Sequence, residues 1–347
     1  MSLEQRREVI RRLQAQRGSR VISYLTSTRP NMESQMAIDV IRLVYEHVRS
    51  IGKTQKIDLF LHSNGGDPTV PWRLVTLLRE YCTSLAVIVP HRAFSAATMA
   101  ALGADEIVMH PLGMLGPIDP TTVNPFNPRD PTNQQQPLPI SVEDVAAYVA
   151  LVKEDVGITH EDELVQAFNV LAGQVHPLAL GNVKRTTQQG RMLAKKLLGL
   201  HMDRATDDHK MDEIVEALSS RLYYHGHPIN RKEAKSDLGL KVVEPDADTE
   251  GIIWELYQHY ESAMNLSEPY VQYQEFLGAN PNLSNIGAVV IAGPMSATLA
   301  YVESEHLSHR NMLEYEIAGA RAPDLSVSTS LLMRHQGWET ENEEEGS

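Results

Sequence analysis

KIDLFLHSNGGDP (Lys56–Pro68) and LAVIVPHRAFSAATMAALGADEIVM (Leu85–Met109) are the two stretches whose reading decides the fold. Each opens on a β-branched and apolar run, Lys56–His62 and Leu85–Val89, that ends abruptly. The first run stops at Ser63-Asn64-Gly65-Gly66-Asp67-Pro68, a turn signal dense in glycine, asparagine and proline. The second passes through His91–Phe94 into Ser95–Leu102, whose small apolar residues suit a helix packed closely on a sheet. Apolar strands alternating with helices predict a largely parallel α/β sheet covered on both faces. Parallel crossovers gather loops at the carboxyl ends of strands, where such folds place their sites. SNGGDP and HRAFSAA both fall there.

Outward from this centre, the spacing predicts a helix over Leu3–Gln16, a strand over Arg20–Thr26 and a helix over Met36–Ile51. Val70–Tyr81 reads as a helix and Glu106–Met109 as a strand. The stretch 121–140 is rich in Pro, Asn and Gln and lacks periodicity. It is expected to be a long loop, either a lid or partner contact or a plain surface insertion. From Ser141 the pattern turns helical, with helices expected over His160–Ala172, Thr186–Leu200, Asp207–Arg221 and Asn230–Leu238, and a short strand at Lys241–Val243. Past Pro245 the pattern supports a helix over Gly251–Met264 and a strand over Ile286–Ala292. The expected division is one domain over 1–245 with the 121–140 insertion, a C-terminal α/β extension over 246–338, and a disordered acidic tail over 339–347.

Bulk properties narrow the function. The 347 residues are 42% hydrophobic and 22% charged, which is ample for a core. A net charge of −14 and only 6% aromatic residues argue against nucleic acid, because phosphates would be repelled and stacking platforms are scarce. The single cysteine, Cys82, allows no internal disulfide and no multi-cysteine metal centre. It reads as a small buried thiol. No run approaches the roughly 18 apolar residues of a membrane-spanning helix, and the opening residues are too charged for a secretory signal. A cytoplasmic protein is expected, with no cofactor and no metal, since no zinc, calcium or phosphate-loop pattern occurs.

Paired glycines after an apolar strand allow a sharp turn and leave a backbone amide facing a ligand with no Cβ in the way. Such an amide can donate to the oxyanion of a tetrahedral intermediate. Gly65-Gly66 fits that use, and it equally fits a simple turn. Ser95 lies between a buried strand and a tightly packed helix, where the helix dipole favours developing negative charge. Serine in that place is also the common N-cap of a helix.

Taken together, Ser63–Gly66, Phe94–Ala97, Ala104–Met109, Pro111, Gly113 and Gly116-Pro117-Ile118 resemble the signal peptide peptidase A family and its relatives. These belong to the Clp/crotonase-like superfamily, and among them the chain is most similar to the serine dehydrogenase proteinase family. The resemblance runs from about Val21 to Val243. It implies a Clp/crotonase-like fold with a helical second half, Ser95 as nucleophile, and the amides of Gly66 and Ala96, supported by Gly65, as oxyanion hole. A serine hydroxyl needs a base. The family's lysine precedes a long helix, which points here to Lys184. His176 and His110 are the competing bases, and Asp119 either orients a base or forms the Gly116–Pro120 turn. The function implied is a serine endopeptidase acting on extended peptides or unfolded protein, assembled as a homo-oligomer. The alternatives are a non-catalytic scaffold with this fold, or an acyl-coenzyme A enzyme using the same amides.

Overall fold

Strands β1 (Arg20–Thr26), β2 (Thr54–His62), β3 (Cys82–Val89) and β4 (Glu106–Met109) lie side by side and parallel in the computed structural model. The structure describes residues 2–118, 121–122, 124–130, 133, 135, 137–138, 140–221, 227–280 and 287–341. A two-residue strand, β5 (Val242–Val243), extends the parallel sheet beyond β4. On the other side β1 pairs antiparallel with β6 (Val289–Glu303), followed by β7 (Ser308–Arg321) and β8 (Val327–Thr340). The sheet order is therefore β5-β4-β3-β2-β1-β6-β7-β8.

Period-two alternation divides the core. Ile57, Leu59 and Leu61 of β2 face α2 (Val40–Ile51), α3 (Val70–Arg79), α4 (Ala96–Leu102) and α7 (Pro177–Leu198). Phe60 of β2 and Val108 of β4 face α1 (Leu3–Arg17) and α10 (Ala247–Met264) instead. Every residue of α4 is buried, as its Ala-rich composition foretold. The helical second half runs through α5 (Val142–Ala150), α8 (Asp208–Glu216) and α9 (Arg231–Ser236) to α11 (Gln272–Ala279), and three long antiparallel strands follow.

Several boundaries depart from expectation for physical reasons. α2 begins at Val40 rather than Met36, because Met36 is spent on the glycine turn: its N–H donates to Gly65 O at 2.8 Å and its carbonyl accepts from Asp67 N at 2.9 Å. α7 begins at Pro177, with His176 as N-cap, so Lys184 stands within the helix and not before it. Glu339 and Thr340, read as the start of the acidic tail, complete β8.

Glu341 then reaches Arg6 of α1, whose side chain is 1% exposed. Arg6 Nε donates to Glu303 Oε2 at 2.8 Å, and its guanidinium lies over the rings of Tyr301 and Tyr260. Among the described residues no helix is long and apolar enough to cross a membrane.

Candidate active site

Two loops make the site. Ser63 N donates to Arg92 O at 3.1 Å and Phe94 N donates to Ser63 O at 3.0 Å, so the turn after β2 is zipped to the segment entering α4. Ser63 Oγ accepts from Gly65 N at 3.0 Å and pairs with Thr26 Oγ1 at 2.7 Å, which fixes the glycine turn from below. Gly65 has φ +100° and Gly66 φ +153°. A Cβ on Gly65 would meet Ser95 Cβ at 2.8 Å, and one on Gly66 would meet Met36 O at 2.3 Å. Both positions therefore demand glycine, for conformation and for space.

Ser95 adopts φ 52°, ψ −116°, a conformation that non-glycine residues avoid, at a cost of about 1–3 kcal/mol. Its side chain makes no capping hydrogen bond, so the ordinary N-cap use does not account for the strain. A sharp strained turn between strand and helix is the device that presents a serine hydroxyl outward. Ser95 opens into a cavity of about 420 Å³ together with Asn64, Gly65, Gly66, Ile118 and, from α7, Thr186 and Gly190. The Gly66 N–H donates to no carbonyl among the described residues. The Ala96 N–H, at the first position of α4, is one of the orphan donors that every helix start leaves.

A residue absent from the sequence reading completes the frame. Thr98, buried in α4, accepts from Gly116 N at 3.0 Å, and its hydroxyl lies 2.7 Å from Ala93 O and 2.9 Å from Gly116 O. It pins the Gly113–Gly116 loop to the serine turn. The only sequence signal was a polar residue inside an otherwise apolar helix.

The structure brings together Ser95, Gly65, Gly66 and Ala96 but places the three basic candidates elsewhere. His110 follows Val108 and so faces α10, across the sheet from α4. It stacks on Trp254 at 5.1 Å, accepts from Leu112 N at 3.1 Å, and burial lowers its pKa. His176 is exposed, stacks on Phe126 at 4.9 Å, and its Nδ1 accepts from Leu178 N. Lys184 is exposed on α7 and does not line the cavity. Asp119 lies outside the described residues. Among the described lining residues the sole charged side chain is Glu33, and none is a lysine or histidine.

Across the sheet, His62 and His91 stack at 5.8 Å beside Tyr257, whose hydroxyl is 3.0 Å from His91 Nδ1. Burial and the neighbouring Arg92 push His91 down to about 4, and burial holds His62 well below its usual range. Both are neutral supports under the site. Burial pushes the Cys82 thiol up to about 11, which leaves it protonated.

Residues 1–128 match the family described as ClpP-like SDH-type serine proteinases. Over that stretch the chain is similar to this family. The matched segment carries β1 to β4, the glycine turn and Ser95. Two uncharacterised proteins of Methanocaldococcus jannaschii are similar as well. MJ1495 is 33% identical over 119 residues, 32% of this chain and 40% of that protein. MJ0137 is 28% identical over 211 residues, 61% of this chain and 62% of that protein. The chain thus spans less than two thirds of either relative. Two structures of the 1510-N membrane-bound stomatin-specific protease also align. One, a mutant in complex with a substrate peptide, has TM-score 0.36 and 14% identity, covering 61% of this chain and 70% of that one. A second mutant has TM-score 0.38 and 12% identity, covering 73% and 91%.

Proposed function

We propose that this chain is a serine endopeptidase that cleaves extended or unfolded peptides through an acyl-enzyme on Ser95. The observation that carries the reading is the strained Ser95 backbone without a capping bond, opposite Gly66 in one cavity. In the reaction Ser95 Oγ attacks the scissile carbonyl while the Gly66 and Ala96 amides receive the oxyanion. The hydroxyl proton passes to a base and then to the leaving amine, and water repeats the sequence to release the acid.

Lys184 is the base put to the test. It shares a helix with Thr186 and Gly190 but stands about 200° round it from Thr186, so it would take the proton only if α7 turns and the lysine loses water as substrate fills the cleft. A homo-oligomer belongs to the same reading. α6 (Glu161–Gln174) buries none of its residues and exposes Val165 and Phe168 side by side, an apolar patch that a second copy would cover.

A fluorophosphonate probe is expected to label the natural protein and leave Ser95→Ala unlabelled. Equal labelling of both would remove Ser95 from the mechanism. Lys184→Ala is expected to abolish labelling at an unchanged unfolding midpoint. Labelling that survives unaltered excludes that lysine. One observation favours a second reading, a peptide-binding scaffold without turnover: no lysine or histidine lines the cavity among the described residues. Failure of both proteins to label would select it.

A further inference from the structure

The serine cavity has a neighbour. Glu33, Ser34 and Gln35 line it and also line a second cavity of about 490 Å³ on the far side of the same segment. That second cavity lies against the face of β6–β8, where Leu299, Leu313, Leu331, Met333 and Trp338 give it an apolar wall, joined by Met32 from the segment before α2. Among the described residues that line it, Glu33 and Asp39 are the charged ones. Asp39 is committed, since it accepts from Trp338 Nε1 at 2.7 Å and from Val40 N at 2.9 Å. Glu33 is exposed and forms no ion pair among the described residues, yet it borders both cavities. The segment itself is rigid at its base, where Ser34 N donates to Ser27 O at 2.9 Å. The backbone N–H groups of Glu33 and Gln35 have no described partner, which leaves them open to an incoming chain.

We infer that the two cavities form one substrate track, in which Glu33 selects a peptide carrying a lysine or arginine beside an apolar segment. The apolar segment occupies the wall of β6–β8, and the cationic side chain meets Glu33 on the way to Ser95. An uncompensated carboxylate in a cleft with no opposing cation attracts a basic side chain and repels an acidic one. This deepens the peptidase reading and rests on it for the direction of the track.

The test is binding to the Ser95→Ala protein, measured by fluorescence anisotropy with labelled decapeptides of apolar residues. A single lysine is moved along the peptide and replaced at each place by norleucine or glutamate. One register is expected to bind lysine about fivefold more tightly than norleucine, the ratio of a single partly exposed ion pair. Glu33→Gln should bring the two to equality, and Glu33→Lys should turn the preference towards glutamate. Met333→Ser should weaken lysine and norleucine peptides alike while keeping their ratio. Glu33 and Met333 are both exposed, so neither change threatens the fold. The inference is overturned if no register prefers lysine, if the preference survives Glu33→Gln, or if Met333→Ser changes nothing. A lysine preference in a protein whose Ser95 never labels sinks the peptidase reading and leaves the track standing. A labelled Ser95 without the preference does the reverse.

Discussion

At the residue scale, the site depends on atoms that are missing. A methyl group at position 65 would press on Ser95 Cβ at 2.8 Å and on Phe94 O at 2.7 Å, in a backbone at φ +100°. Gly65→Ala is therefore expected to lower stability by about 1–3 kcal/mol and to slow fluorophosphonate labelling of Ser95. Urea unfolding and labelling rates check both, and an unchanged rate would mean that the turn does not shape the serine. The glycine pair and the serine were legible because each is local, a run of residues following a strand. The base was not, because spacing along the chain does not say which face of a long helix turns inward. Lys184 and Thr186 are two positions apart, about 200° round α7, and it is Thr186 that lines the cavity. His110 carried a clearer signal: it shares its parity with Val108, so the alternation of β4 directs it away from α4.

At the scale of elements, Thr98 joins α4 to the Gly113–Gly116 loop. Thr98→Val keeps the shape and removes the hydroxyl, leaving the Gly116 N–H without its acceptor. A loss of about 1–3 kcal/mol is expected from urea unfolding, with labelling reduced because the loop no longer holds the serine turn. An unaltered midpoint would show that the loop is held by other contacts. The parallel strands were read from sequence because they are continuous apolar runs. β7 carried its signal more quietly, with buried Leu313, Tyr315 and Ile317 alternating with Glu314 and Glu316. β8 is largely polar and half exposed, so its assignment comes from pairing with β7 and not from its own pattern.

At the scale of the whole molecule, buried neutral histidines set the response to acid. His47 joins α2 to the β6–β7 hairpin, with Nδ1 2.7 Å from Ser304 Oγ and Nε2 3.0 Å from His309 Nδ1. Burial, with His309 beside it, pushes His47 down to about 3. His62 and His91 are lowered by burial too. In the unfolded chain all three take protons near pH 6.5. Between that value and their folded pKa values the unfolded state binds more protons, so stability is full above about 6.5 and falls with decreasing pH. The expected loss from pH 6.5 to 5 is on the order of 2 kcal/mol for His47, and His62 and His91 add to it in the same direction. Urea midpoints at pH 8, 7, 6 and 5 test this. A flat profile down to pH 5 would show that these rings are hydrated in the folded protein.

Arg6 and Glu341 meet in one buried cluster, and this has a consequence for how the protein is made. A ribosome adds about 5–20 residues per second, so the carboxylates of Glu303 and Glu341 emerge on the order of tens of seconds after Arg6. Until then the guanidinium has no counter-charge on which to settle, and leaving water unpaired would be costly. Helix α1 therefore waits undocked while the sheet assembles, and the face it will cover stays open to chaperones during synthesis.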